Sequence, residues 1–516
     1  MNAPTRERVL EVIENHFRGA LSGLDLDNVD MSQSMAELGV GSLETAEALA
    51  AAMRELRVRV PMADLDPGMN VAQLTDTLYQ AGVRQYGGPE GEAPAEGPHW
   101  SEVTYDVFLD STDAAPTEID RFAAWRKALV DEKVYPFEVP HLTPQKTEIR
   151  VARTGAGELT LLNFSSYNYL GLSHHPDVIA AAKQALDDYG LGANSSPVAG
   201  GTMGIHVQLE QGLTEFWGLP DHGVSLFSSG YGANLGAISG FLKPGHVALV
   251  DQASHMSILE GVRLAGAQLR YFAHNDMDDL QAKLKALAEE KTRVLVCVES
   301  VYSADGDFGH IAKSVELAHR YGAYILVDEA HSMLLAGTHG RGLTEEQGVL
   351  DQVDMLVTTF SKSFGGVGGA VYAKTDVVQY MNWYARVRMF SCAMDPAVTG
   401  GLVKSLEIAR GPEGDVRRKR LRENADYLRE LMAPYVNLGQ SRSWIVPVIF
   451  GSEKKSIALS DWLQREGLDA GVLTFPAVPR NYSRLRMFVT SEHTREQLER
   501  AADIVRRAAK HFEFGA

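Results

Sequence analysis

Cysteine is nearly missing from this chain: Cys297 and Cys392 are the only two in 516 residues. Two isolated thiols build no disulfide framework and offer no metal-ligand spacing, so no metal is expected and a reducing, cytoplasmic setting fits. Basic residues are also short, 49 against 67 acidic, for a formal net charge of -18. That imbalance argues against nucleic acid or an anionic membrane as the main partner. No apolar run is long enough to span a bilayer, and the opening "MNAPTRERVLEVIENHF" lacks the apolar core of a signal peptide. What is left, 45% hydrophobic and 22% charged, is an ordinary globular composition with room for two or three domains.

Composition divides the chain. Residues 1–82 read as a small helical unit. "RERVLEVIENHF" sets Val9, Leu10, Ile13 and Phe17 at helical spacing, "SLETAEALAAAMREL" is a second helix opened by Ser42, and "VAQLTDTLYQ" is a third. Residues 83–100, with "YGGPEGEAPAEGPH", are rich in Gly, Pro and Glu and read as a linker that buries no core. Residues 101–164 read as an extended leading segment with one or two helices. From 165 to 395, "VSLFSS", "HVALVDQ", "RVLVCVES", "AYILVDEAH" and "MLVTTFSK" are apolar runs that turn polar at their carboxyl ends. Such runs predict an α/β fold whose mostly parallel sheet is buried on both faces. Residues 396–516 alternate helices and strands as a smaller α+β domain.

Ligands of open α/β sheets bind beyond the carboxyl ends of the strands. Five successive strand ends carry reactive groups here: "FSSGYGAN", "DQASHMS", "ESVYSADGD", "DEAH" and "TTFSK". Singly, each has an ordinary explanation: Asp328 as a helix cap, His255 and His331 as structural histidines, "SSGYG" as a turn. Together, in this order, they suit pyridoxal 5'-phosphate (PLP). That cofactor needs a lysine to link to, an acid for its pyridine nitrogen and donors around its phosphate. Lys362 is the candidate amine, Asp328 the acid, and His331 with Ser303 partners for the phenolic oxygen. Ser229, Gly230 and Tyr231 open a helix where backbone N–H groups favour phosphate, Thr359 adds a donor, and His255 is placed to stack on the ring.

The motifs "SYNYLGL", "GTMGIHVQLE", "FSSGYGAN", "SHMSILEG", "ESVYSADGD", "DEAHS", "GTHGRG" and "TTFSKSFGGVGG" resemble the α-oxoamine synthase family over about residues 118–512. The resemblance implies a PLP fold type I large domain, a homodimer with sites at the subunit interface, and condensation of an amino acid with an acyl thioester with loss of carbon dioxide. By motif it makes Lys362 the cofactor-linking lysine, His255 the stacking histidine, and Asp328 and His331 the ring partners. Ser391 in "FSCAMDP" becomes a phosphate contact lent to the other subunit, and Arg486 in "SRLRMFV" the ligand of the amino acid carboxylate. Strand alternation would put Arg484, Arg486 and Phe488 on one face, with Arg484 open to reading as an exposed basic edge. Met256 after the histidine, "FGHI" after "DGD", and an arginine-free "GANSSPVAGG" depart from the family pattern and leave the substrate open.

The leading unit resembles an acyl carrier protein. "ELGVGSLETAE" matches the carrier pattern, with Gly41 where that family usually has Asp. The resemblance implies 4'-phosphopantetheine on Ser42, installed by a phosphopantetheinyl transferase and charged by an acyl-loading enzyme. Three alternatives stand beside a carrier-fed synthase: an acyl-CoA-dependent synthase with a non-functional carrier, a fold type I aminotransferase, and a non-catalytic scaffold.

Overall fold

The computed structural model describes residues 4–20, 42–56, 58, 60, 65, 69–87, 115–153 and 156–515. Most of the expected linker and Gly41 lie outside the described residues.

The leading unit consists of helices Arg6–Ala20, Ser42–Leu56 and Val71–Gly87. Their apolar stripes meet in a core of Val9, Val12, Ile13, Leu49, Met53, Leu74 and Leu78. Asn70 and Gln73 cap the third helix reciprocally, each side chain accepting the other's backbone N–H at 2.9 Å. Among the described residues that helix runs to Gly87, past position 82. One member of this core comes from far along the chain: Phe475, only 2% exposed.

The leading segment of the synthase portion holds helix Ala115–Asp131 and a hairpin of β1 (Glu148–Arg153) and β2 (Gly157–Asn163). The hairpin was not foreseen. β1 alternates exposed and buried residues, but β2 buries its last three in a row and is completed by a remote partner, pairing in parallel with β11 (Leu468–Asp469).

The large domain carries β3 (His222–Phe227), β4 (Val247–Asp251), β5 (Gln268–Phe272), β6 (Val294–Glu299), β7 (Tyr324–Asp328), β8 (Met355–Thr359) and β9 (Gly369–Lys374). They form one sheet in the order β3-β9-β8-β7-β6-β4-β5. Every neighbouring pair is parallel except β9, which runs against both β3 and β8. Every residue of β4, β6 and β8 is buried, as continuous apolar runs covered by helices on both faces require. The carboxyl ends of β4, β6, β7 and β8 therefore reach one edge, and Glu299 and Asp328 sit there in register.

The small domain has β10 (Ile445–Gly451), β12 (Gly471–Leu473) and β13 (Ser483–Phe488) in the order β10-β13-β12, both pairs antiparallel. Helix Arg495–His511, capped by Thr494 and Gln497, lays Leu498, Ala501, Ile504, Val505 and Ala508 into the core. β13 carries its two arginines to the edge of the large domain.

Candidate active site

The carboxyl edge of the large sheet opens into a cavity of about 300 Å³. Lys362 enters it three residues beyond the end of β8, on the turn between β8 and β9. Among the described residues nothing hydrogen-bonds its amine. Burial pulls its pKa from 10.5 to about 8, against the opposing pull of the Asp328 and Glu299 charges. A substantial share of the amine is therefore neutral near physiological pH, the form that attacks carbonyls.

Asp328, 5% exposed, ends β7 beside it. Its carboxylate accepts from Asn234 Nδ2 at 2.7 Å and from the backbone N–H of Ala330 at 2.8 Å. These donors hold the acid in place while it still faces the cavity. His331, three residues on, is buried, and Tyr169 Oη lies 2.8 Å from its Nδ1. The buried phenol must donate its proton, and this imidazole nitrogen is its one partner among the described residues. That leaves Nε2–H of His331 as a donor. Burial, followed by the charges of Lys362 and Arg486, holds the ring neutral by pushing its pKa well below 6.5.

The opposite end of the cavity is built for an anion. Ser229 caps helix Gly230–Phe241 by accepting the Gly232 N–H at 2.9 Å. Free N–H groups at such a helix start attract phosphate. Thr359 and Ser361 place hydroxyls beside it, 2.8 Å apart. A side chain at Gly230 would run into that of Thr359, so only glycine lets the helix start approach β8 this closely. Tyr231, 43% exposed, turns its ring edge towards His255, whose ring lines the cavity.

The two arginines of β13 have different fates. Arg484 is not an exposed edge residue: it is 3% exposed, salt-bridged to Asp305 and bonded to the Ala304 carbonyl at 3.3 Å. It fastens the small domain to the loop after β6. Arg486 lines the cavity with no acidic partner among the described residues. Its Nε is orphaned, its one hydrogen bond there is a long 3.5 Å contact to the Ser303 carbonyl, and its guanidinium lies 4.8 Å over the Phe488 ring. Ser303 itself lines the cavity. Behind its loop, His274 bridges Asp251 at 2.8 Å and Asp307 at 3.1 Å.

Ser391 is not brought to the cavity of its own chain. Ser391 lines a separate small pocket with Arg388 and Glu210, and its hydroxyl donates to the Val387 carbonyl. Ser42 opens the second helix of the leading unit, and its side chain lies outside the described residues. Cavity-lining residues that the sequence does not single out include Asn234, Ser257 and Glu299, as well as Tyr167 and Ser361. Asn234 lies one turn inside the helix that "SSGYGAN" opens, and Glu299 is the first letter of "ESVYSADGD". Both were legible as polar residues at a strand end or helix start. Ser257 had no signal of its own.

The residues present fit PLP. An unpartnered, half-buried amine, a fixed carboxylate, a helix start cleared by glycine and an orphaned guanidinium face one space.

Residues 160–505 match the family described as aminotransferase class I and II. The chain is 35% identical over 351 residues to 8-amino-7-oxononanoate synthase of Thermoanaerobacter pseudethanolicus, covering 68% of this chain and 88% of that protein. It is 34% identical over 387 residues to serine palmitoyltransferase of Sphingobacterium spiritivorum, covering 75% of this chain and 94% of that protein. A serine palmitoyltransferase of S. paucimobilis, solved with bound PLP and myriocin, superposes with a TM-score of 0.73 at 32% identity, covering 78% of this chain and 100% of that one.

Proposed function

The chain belongs to the PLP-dependent aminotransferase class I and II family and is an acyltransferase of the α-oxoamine synthase kind; we propose that it joins an amino acid to a carrier-bound acyl thioester and releases an α-aminoketone and carbon dioxide. The observation that carries this reading is Arg486, a cavity cation with no carboxylate of its own among the described residues. The α-carboxylate of an amino acid supplies the missing partner.

PLP, when bound, supplies the electron sink that lets the α carbon of the amino acid give up a proton. Lys362 would hold the cofactor, and its Nζ is the base that would take that proton, a role its depressed pKa suits. Asp328 holds a proton at the pyridine nitrogen, and the Nε2–H of His331 donates to the phenolic oxygen. The start of helix Gly230–Phe241, with Ser229, Tyr231 and Thr359, takes the phosphate. Arg486 would fix the carboxylate end of the substrate and so orient its α carbon in the cavity. The α carbon then bonds to the thioester carbonyl, the thiolate leaves, and the carboxylate departs as carbon dioxide. His255, facing the same space, donates to the oxygen on which charge develops.

The acyl donor is read as the chain's own carrier unit, with phosphopantetheine on Ser42. Support comes from a serine at the start of the second helix and from Phe475, which ties the unit's core to the segment leading into β13. A second copy of the chain is read as the owner of the Ser391 contact. Phe390, Trp383 and Tyr384, next to it in sequence, are 81%, 62% and 59% exposed, an apolar surface suited to a subunit interface.

The test offers acyl-loaded protein a panel of amino acids and identifies the products by mass. A ketone with matching release of carbon dioxide supports the synthase. A keto acid formed without thioester consumption reassigns the chain to transamination. Incubation with a phosphopantetheinyl transferase must add the mass of one arm to wild type and none to Ser42→Ala; no gain in wild type removes the carrier while leaving the synthase.

A further inference from the structure

We propose that Ser257 and Asn234 are positioning residues that fix the tautomer of His255, so that Nε2–H rather than Nδ1–H serves the reacting groups. This rests on the reading of the cavity as a PLP site.

The inference follows from the direction of each hydrogen bond. Asp328, as a carboxylate, only accepts, so the atom of Asn234 that lies 2.7 Å from its Oδ2 is the amide nitrogen. The second hydrogen of the same nitrogen goes to Ser257 Oγ at 2.9 Å. Ser257 Oγ therefore accepts from Asn234 and has its own proton to give. Its other partner is His255 Nδ1, 2.8 Å away. The hydroxyl donates there, and the backbone N–H of Ser257 points at the same nitrogen from 3.3 Å. With two donors aimed at it, Nδ1 is an acceptor and the ring proton sits on Nε2. The orphaned oxygen of Asn234 is the consequence of this arrangement, because turning the amide to satisfy it would set oxygen against the Asp328 carboxylate. The acid beneath the cofactor thus dictates, through two neutral side chains, which nitrogen of the histidine is a donor.

The other groups around His255 pull in both directions. The charge of Lys362 and that of Arg486 oppose a second proton on the ring, the charge of Asp328 favours one, and the Tyr231 ring meets it edge-on at 6.0 Å. Glu299 takes the backbone N–H of His255 and holds the residue at the start of its helix. Burial dominates and lowers the pKa, so the ring is neutral with one N–H. Protonating it would put a hydrogen on Nδ1 against two donors and leave the Ser257 hydroxyl without an acceptor.

Ser257→Ala removes one of the two donors and Ser257→Thr restores a hydroxyl. In the alanine variant the acid limb of kcat/KM should move up by about one pH unit, the worth of one buried hydrogen bond, and the threonine variant should return it. An acid limb superimposing on that of wild type, with the visible cofactor band intact, overturns the proposal. Neutron diffraction of deuterium-exchanged wild-type protein decides without any variant. Deuterium on Nε2 alone of His255 supports the assignment, and deuterium on Nδ1 overturns it. Absence of a visible band from PLP-treated wild type is a different failure, that of the cofactor reading, and the neutron result stands apart from it.

Discussion

Lys362 makes two predictions at the scale of single residues. Lys362→Ala should lose both the visible cofactor band and turnover, and a band unchanged from wild type contradicts the linkage. In the cofactor-free protein, the rate of capture of added PLP should rise with pH and level off just above about 8, because burial has already brought the amine down from 10.5. A rate still climbing steeply towards pH 10 would mean an unperturbed lysine. Arg486→Lys keeps the charge but loses the forked donor geometry, so KM for the amino acid should rise about 10- to 100-fold. His274 sets a stability test instead. Burial disfavours its charge, but hydrogen bonds to Asp251 and Asp307 overcome this and raise its pKa from 6.5 to about 10. A raised folded-state pKa stabilises fully below the unfolded value and stops doing so as pH climbs through the folded one. Between pH 6.5 and 10, wild type should lose melting temperature more steeply than His274→Gln, and parallel slopes would refute the assignment.

Elements explain what the sequence could and could not tell. The strands of the large domain were legible because each is a short apolar run buried on both faces, as "VALVD" and "VLVCVE" show. Their polar endings marked the cavity, since a parallel sheet brings its carboxyl ends together. Arg484 stayed open to two readings because alternation gives a face and not a partner; Asp305, which neutralises it, lies 179 residues away. Ser257 was missed for a similar reason: its meaning lies in hydrogen bonds between two helix starts, and no local pattern encodes those. Gly230 tests the phosphate end. Alanine there would force helix Gly230–Phe241 off β8, because its methyl overlaps Thr359. The cofactor dissociation constant should rise about 10- to 100-fold in an absorbance titration, with little change in circular dichroism.

At the scale of the whole molecule, the leading helical unit and the small domain share Phe475. Truncating it should cost that unit about 3 kcal/mol, a typical value for emptying an aromatic core position. Hydrogen exchange in helices Arg6–Ala20, Ser42–Leu56 and Val71–Gly87 should then speed up in Phe475→Ala while the visible band is kept. Unchanged exchange would mean that the ring is a bystander.

The pairing of β2 with β11 also sets how late in synthesis the hairpin can be completed. Leu162 finds its strand partner at Leu468, roughly 300 residues later. At ribosomal speeds that is a delay of roughly 15 to 60 s, during which Leu162 awaits its final cover. A newborn chain must carry this sticky hairpin through most of its own synthesis, and slowed translation or a scarcity of chaperones should be felt there first.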